Sequence, residues 1–197
     1  LRMAEYYDPK DEKFGLISSY LYRYFAEPFL YTYHKLIVNE ILNYNPSKIL
    51  DIGSGTGLLI KELSSKTEAE IYAVEPSKFM IDIAKRRLKK EISSGRAKIY
   101  QGSSRNIPIK EKFDLIITTF SFHHWSNKFD SIPYIMNFVA NGGLFLIFDY
   151  DNDYGKFKNS HGLSTKEFPE TIIKGYEVNF KHLPRSILEI ILKNPEL

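Results

Sequence analysis

The sequence predicts a doubly wound α/β fold with a largely parallel sheet, on three observations. From residue 48 onward, short apolar runs alternate with stretches of helical period. The first such run, Ile49-Leu50-Asp51-Ile52, feeds directly into Gly53-Ser54-Gly55-Thr56-Gly57. The run Phe113–Phe120 has the apolar character of a strand covered on both faces.

The elements follow in order. Residues 11–45 read as helical and aromatic, with a break at Glu27-Pro28, where Pro28 suits the first turn of a second helix over 29–44. Leu30, Tyr33, Leu36, Ile37, Ile41 and Leu42 recur there at helical spacing. Residues 1–45 are therefore expected as an N-terminal helical cap, and 46–197 as a single globular unit. In that unit the strands are read at Lys48–Ile52, Ile71–Glu75, Ala97–Gln101, Phe113–Phe120 and Leu144–Phe148. The helices between them are read at 57–66, 77–92 and 127–140, the last ended by Asn141-Gly142-Gly143. A further helix over 164–174 has Ser164 or Thr165 as its N-cap and Gly175 as its C-cap. Tyr176–Leu183 and Ser186–Leu192 form a terminal antiparallel pair.

Composition sets outer bounds. With 43% apolar and 26% charged residues the chain reads as a soluble globular protein. A net charge of +3 is too small to argue for a nucleic-acid partner. The absence of cysteine excludes disulfides, thiolate catalysis and cysteine-held metals. No uncharged apolar run nears the roughly 20 residues that span a bilayer, and the first residues are polar and tyrosine-rich, so the expected location is the cytoplasm, with no membrane partner.

Chemistry is expected at the carboxyl ends of the strands. Alternating glycines let the backbone approach a ligand, and the helix that follows offers unpaired N–H groups. A dinucleotide fingerprint needs its third glycine one residue later than Gly57, where this chain has Leu58. Glu75, at the end of the second strand, is suited to accept hydrogen bonds from ribose hydroxyls, or alternatively to cap the next helix beside Ser77. Met80, one turn into that helix, either packs on an adenine face or belongs to the core. The third strand leads into Gly102-Ser103-Ser104, and the fourth into Thr119-Phe120-Ser121-Phe122-His123-His124. Adjacent histidines point apart and lack a third ligand, so no metal site is expected. Asp149, Asp151 and Asp153 read as a solvated acidic loop after the fifth strand.

Together these residues resemble a class I S-adenosylmethionine-dependent methyltransferase of the small-molecule type 11 branch. The resemblance rests on Leu50–Gly57, Val74-Glu75-Pro76-Ser77, Gly102-Ser103 with Ile107-Pro108, Phe113-Asp114-Leu115-Ile116 running into His123-His124-Trp125, Gly142-Gly143 and Gly175-Tyr176, and it covers residues 46–193. It implies a Rossmann-like, seven-stranded sheet flanked by helices, with the last strand antiparallel, and S-adenosyl-L-methionine as cofactor. It implies that Asp51 with Gly53, Ser54, Gly55 and Gly57 holds the methionine moiety, that Glu75, with Pro76 beside it, binds the ribose, and that main-chain groups of Thr119 and Phe120 fix the amino-acid part. Family members commonly carry Asp where this chain has Ser103, so the adenine amino group falls to Ser103, Ser104 or backbone groups.

The activity so implied is in-line methyl transfer to a small-molecule acceptor. Where that acceptor must lose a proton, His123 or His124 is the candidate general base. Tyr6, Tyr7 and Tyr20 are candidates for stacking on the acceptor. The competing readings are a non-catalytic S-adenosylmethionine-binding protein and an RNA or protein methyltransferase. The second lacks an appended basic domain and an Asn-Pro-Pro-Tyr-like loop after the fourth strand. An NAD-dependent oxidoreductase is disfavoured by Gly57-Leu58.

Overall fold

Pro28 lies in the first turn of helix α1 (Glu27–Asn43), where a missing N–H leaves no hydrogen bond unmade. The computed structural model describes residues 27–126, 128–154 and 162–195, with residues 27–29 described by their backbone alone. The chain divides into two compact units, one ending at Ile109 and one beginning at Lys110. In α1, Leu30, Ile37, Val38 and Ile41 are buried, at the spacing that defines one helical face. Each such side chain contributes about 1.5–3 kcal/mol relative to leaving it in water.

The first unit holds three parallel strands. β1 (Lys48–Ile52) pairs with β2 (Glu70–Glu75), which pairs with β3 (Ala97–Gln101). Between them run α2 (Leu58–Ser64), α3 (Lys78–Arg87) and α4 (Lys89–Ser93). Because the strands are parallel, the loops after Ile52, Glu75 and Gln101 leave from the same edge. The single helix expected over 77–92 is broken: fully buried Leu88 adopts φ −98° and ψ 21°, and the chain restarts as α4. Apolar period continues through the break, so the pattern alone hides it.

The second unit holds β4 (Phe113–Thr119), α5 (Ser131–Met136), β5 (Val139–Asp151), β6 (Gly162–Leu163), α6 (Glu170–Gly175), β7 (Glu177–Leu183) and β8 (Ile187–Lys193). β4 pairs parallel with β5, β8 antiparallel with both β5 and β7, and the short β6 parallel with β5. The last strand is thus antiparallel, as expected, and β6 is an eighth strand that the sequence reading lacked. The terminal pair turns through Arg185 and Ser186, both at positive φ, 63° and 54°.

Three expectations are corrected here. The helix over 127–140 is only α5, preceded by a 3-10 turn at Lys128–Asp130. Asn141-Gly142-Gly143 does not stop a helix but lies inside the 13-residue β5, where the β4–β5 register shifts between Phe113 and Leu115. A Cβ on Gly143 would come within 2.8 Å of the Asp114 carbonyl oxygen, so the glycine is required by close strand approach. The helix over 164–174 is a 3-10 turn, Thr165–Glu167, followed after Phe168-Pro169 by α6. Ser164 does cap that turn, accepting from Lys166 N at 3.3 Å, whereas Gly175 is the last helical residue and Tyr176 the C-cap. Pro169 removes an N–H and cannot continue the earlier turn.

Candidate active site

In the first unit the chain leaves β1 through residues in the left-handed region: Gly53 at φ 78°, Gly55 at 54° and Gly57 at 72°. Gly53 and Ser54 donate their backbone N–H groups to the Val74 carbonyl at 2.8 and 3.3 Å, which fastens the loop to β2. Gly57 is the N-cap of α2, and a Cβ there would meet Leu88 Cδ1 at 2.9 Å. A Cβ on Gly55 would meet nothing within 4 Å, so the middle of the loop borders open space. Arg87 on α3 donates to the Thr56 carbonyl at 3.0 Å and to Thr56 Oγ1 at 2.6 Å, an anchor that the sequence reading missed.

Two acidic side chains stand at this loop. Glu75, 7% exposed, accepts from Gly55 N at 2.8 Å on Oε2 and from Ser77 N at 2.9 Å on Oε1. Asp51, 2% exposed, is pushed up to about 8, first by burial and then by the neighbouring Glu75 charge. Ser54 Oγ is buried and has no hydrogen-bond partner among the described residues. An unpaired buried hydroxyl is costly, so this atom is suited to a donor or acceptor that the described residues do not supply. Pro76 follows Glu75 and accepts from Gln101 Nε2 at 3.2 Å. Met80 is 3% exposed and its N–H is capped by Ser77 Oγ. After β3, Ser103 and Asn106 bond each other's backbone both ways, at 2.9 and 3.0 Å, in a tight turn that leaves Ser104 buried.

In the second unit, β4 ends at Thr119, whose buried Oγ1 also lacks a partner among the described residues. Phe120 takes φ 50°, a strained value for a side chain of its size, and its N–H is committed to the Phe148 carbonyl at 2.8 Å. The 3-10 turn Phe122–His124 follows. Fully buried Phe122 seats it by packing on Trp125, Phe129 and Phe168. This turn separates the two candidate histidines. His124 is exposed, while the His123 side chain is 5% exposed, with Nδ1 2.7 Å from Asp149 Oδ1.

Asp149 and Asp151 are therefore not a solvated loop. They lie within β5 at 0% and 3% exposure, on one face of the strand. Asp149 also accepts from His123 N at 3.2 Å and Tyr150 N at 2.9 Å. Burial pushes its carboxyl above the ordinary range, and the bonds from His123 offset only part of that rise. Asp151 repeats the pattern, with His182 Nδ1 at 2.6 Å. Only Asp153 lies in the loop after β5: it is bonded to Ser164 Oγ and Thr165 N, and although desolvation is the largest single influence, these bonds together hold its carboxyl below the ordinary range. The only advance signal was the alternation of Asp149 and Asp151. Among the described residues no group of three His, Asp or Glu side chains is arranged to hold a metal. Tyr6, Tyr7 and Tyr20 lie outside the described residues.

Parallel strands, a glycine turn and a ribose-suited carboxylate define a nucleoside-binding α/β protein. Residues 49–143 match the family model for a methyltransferase domain. An uncharacterized methyltransferase of Staphylococcus carnosus is 29% identical over 171 residues, covering 80% of this chain and 79% of that protein. The demethylmenaquinone methyltransferase of Thermotoga maritima is 33% identical over 98 residues, covering 49% of this chain and 40% of that one. The chain spans about half the length of further curated relatives it matches. Among solved structures, the plantazolicin methyltransferase BamL, in complex with a triazolic desmethylPZN analogue and SAH, superposes with a TM-score of 0.73 at 15% identity, covering 91% of each chain. The family match and these relatives support a class I S-adenosylmethionine-dependent methyltransferase. S-adenosylmethionine is the cofactor these matches support, and the glycine loop with open space beside Gly55, the doubly accepting Glu75 and the Ser54 hydroxyl, which has no partner among the described residues, fit that molecule. No helix among the described residues is long and apolar enough to cross a membrane.

Proposed function

We propose that this protein methylates a small-molecule acceptor in the cytoplasm by in-line displacement, with His123 as general base. The observation that carries the donor side is the Glu75 carboxylate, which bridges the end of β2 and the glycine turn with one oxygen on Gly55 N and the other on Ser77 N. That double anchor fixes the carboxylate plane before any ligand arrives, so little ordering is left to do on binding. In this reading Glu75 takes the two ribose hydroxyls, Ser54 and Asp51 take the amino-acid end, and Ser103 and Ser104 take the adenine. When bound, S-adenosylmethionine supplies a methyl group made electrophilic by its sulfonium. The protein's remaining work is to align the acceptor, exclude water and receive a proton. The relatives named for demethylmenaquinone and plantazolicin support a small acceptor.

The test is calorimetric titration of the full chain with S-adenosylmethionine, S-adenosylhomocysteine and NAD, with Glu75→Ala as control. Binding of both sulfur nucleosides, weakened at least about tenfold in Glu75→Ala, is expected from the loss of a charge-assisted pair of hydrogen bonds. Binding of NAD alone overturns the reading.

A further inference from the structure

The outward face of α3 holds most of the chain's excess positive charge. Met80, Ile81, Ile83 and Ala84 form the buried side of that helix. Lys78, Phe79, Asp82, Lys85 and Arg86 are exposed, and Lys89 and Lys90 follow, also exposed, at the start of α4. Arg87 is turned inward to Thr56 and takes no part. Five cations against the one acid, Asp82, leave a local excess of four positive charges, whereas the whole chain has an excess of three. The remainder of the chain is therefore close to neutral, and its basic character sits on this face.

Among the described residues no ion pair or hydrogen bond takes up the side chain of any of these five cations. Elsewhere the surface pairs its lysines: Lys61 with Glu91 at 2.6 Å, Lys66 with Glu62 at 3.3 Å and Lys174 with Glu170 at 2.6 Å. Lys85, Arg86, Lys89 and Lys90 crowd like charges onto successive turns, an arrangement that a negative partner relieves. Phe79 stands at the same face with its ring 38% exposed. A ring left in water beside cations suits a partner that is anionic at its surface and apolar beneath. Lysine outnumbers arginine four to one here. A lysine ammonium is a point charge that diffuse attraction satisfies, whereas nucleic-acid recognition favours the arginine fork.

We propose that Lys78, Phe79, Lys85, Arg86, Lys89 and Lys90 form a docking surface for an anionic phospholipid bilayer, with α3 lying in the plane of the headgroups. The cations meet lipid phosphates while the lysine stems and the Phe79 ring reach below them. Clusters of about four to eight basic residues on one helix are what an anionic leaflet attracts. Such a chain lies on the bilayer and needs no spanning segment. The proposal is independent of the methyltransferase reading.

The experiment is co-sedimentation of the full chain with vesicles of phosphatidylcholine alone or with about 30% phosphatidylglycerol. Binding is expected only to the anionic vesicles and is expected to fade as salt rises. Lys85→Gln/Arg86→Gln is expected to weaken it about 25-fold, about fivefold for each charge. Lys66→Gln/Lys174→Gln, which removes the same charge elsewhere, is expected to stay within about twofold of wild type. Phe79→Ala is expected to weaken binding about threefold or more with the salt dependence unchanged. All these side chains are exposed or paired at the surface, and an unchanged urea midpoint in each variant reports folding. Equal losses in the two double variants overturn the proposal by making the attraction a matter of net charge. Equal binding to both kinds of vesicle, or to neither, overturns it as well. So does a single-stranded oligonucleotide of about 20 nucleotides that binds more tightly than the vesicles and loses affinity in the same variants, since the surface then belongs to a nucleic acid.

Discussion

Asp151 and His182 meet at 2.6 Å although a whole strand, β8, lies between the strands that carry them. The contact is made at the tip of the β7–β8 hairpin, where Asp151 N also bonds the Ser186 carbonyl at 2.9 Å. The other Asp151 oxygen accepts from Asp153 N at 2.8 Å and Tyr154 N at 3.3 Å, so one carboxylate ties β5, the loop after it and β7. Asp151→Ala leaves these amides without their acceptor and is expected to destabilise the protein by about 1–3 kcal/mol. His182→Ala removes one bond from a side chain 35% exposed and is expected to cost only about 0.5–1.5 kcal/mol. Urea unfolding of both variants checks the order. Equal costs would mean that the amides rather than the histidine contribute nothing.

The glycine turn makes a second prediction. Gly55 and Gly57 both have positive φ, but only at Gly57 does a Cβ collide, with Leu88 Cδ1 at 2.9 Å and Ala84 Cβ at 3.2 Å. Alanine at Gly55 is expected to cost the left-handed penalty alone, about 1–2 kcal/mol. Alanine at Gly57 is expected to cost more, and Leu88→Ala in the Gly57→Ala background should recover part of the excess. Thermal unfolding of the two single variants, Leu88→Ala and the double variant measures the coupling.

That pairing of Gly57 with Leu88 marks what was legible in the sequence. Strands β1 and β3 were read at the bounds the structure gives: β1 is a short buried run that stops at Gly53, and β3, a half-buried edge strand, stops at Gly102. The glycine turn was legible because a positive φ is a local property of each glycine, whereas the bond from Gly55 N to Glu75, 20 residues away, was not. The break at Leu88 was not, since an apolar residue at helical spacing looks alike on either side of a kink. Gly142-Gly143 misled for a different reason: a glycine demanded by a neighbouring strand carries the same letter as one that ends a helix. His123 and Asp149 are 26 residues apart, so their pairing depends on β4 lying beside β5, a fact no window of sequence contains.

Asp51 gives a pH dependence of stability whose sign can be worked out. Its folded value of about 8 lies above its ordinary 3.8, so between these pH values the folded protein holds a proton that the unfolded chain has released. Stability from this group is greatest at the acid end and falls as pH rises towards 8, by at most about 1.4 kcal/mol per pH unit. Asp153, held below its ordinary value, acts oppositely, but only where pH falls below the usual carboxylate range. Urea unfolding of wild type and Asp51→Asn from pH 5 to 8 is expected to show the variant gaining on wild type at every step. Parallel curves would remove Asp51 as the cause.

In the proposed binding mode the same proton links Asp51 to the cofactor. A cationic ligand end settling against Asp51 pairs with the carboxylate, not with the neutral acid, so at pH below about 8 binding must expel the proton. At pH 6 the α-amino group of S-adenosylmethionine, ordinarily near ~7.7–8.0, is still charged and contributes no proton of its own. Calorimetry at pH 6 in two buffers of different ionisation heat is therefore expected to report release of about one proton per molecule bound, and an affinity that rises towards pH 7 by up to about tenfold. Asp51→Asn is expected to bind more weakly and to release none. Proton release that persists in Asp51→Asn would assign the titration to another group, and an affinity independent of pH would mean that Asp51 stays neutral beside the bound cofactor.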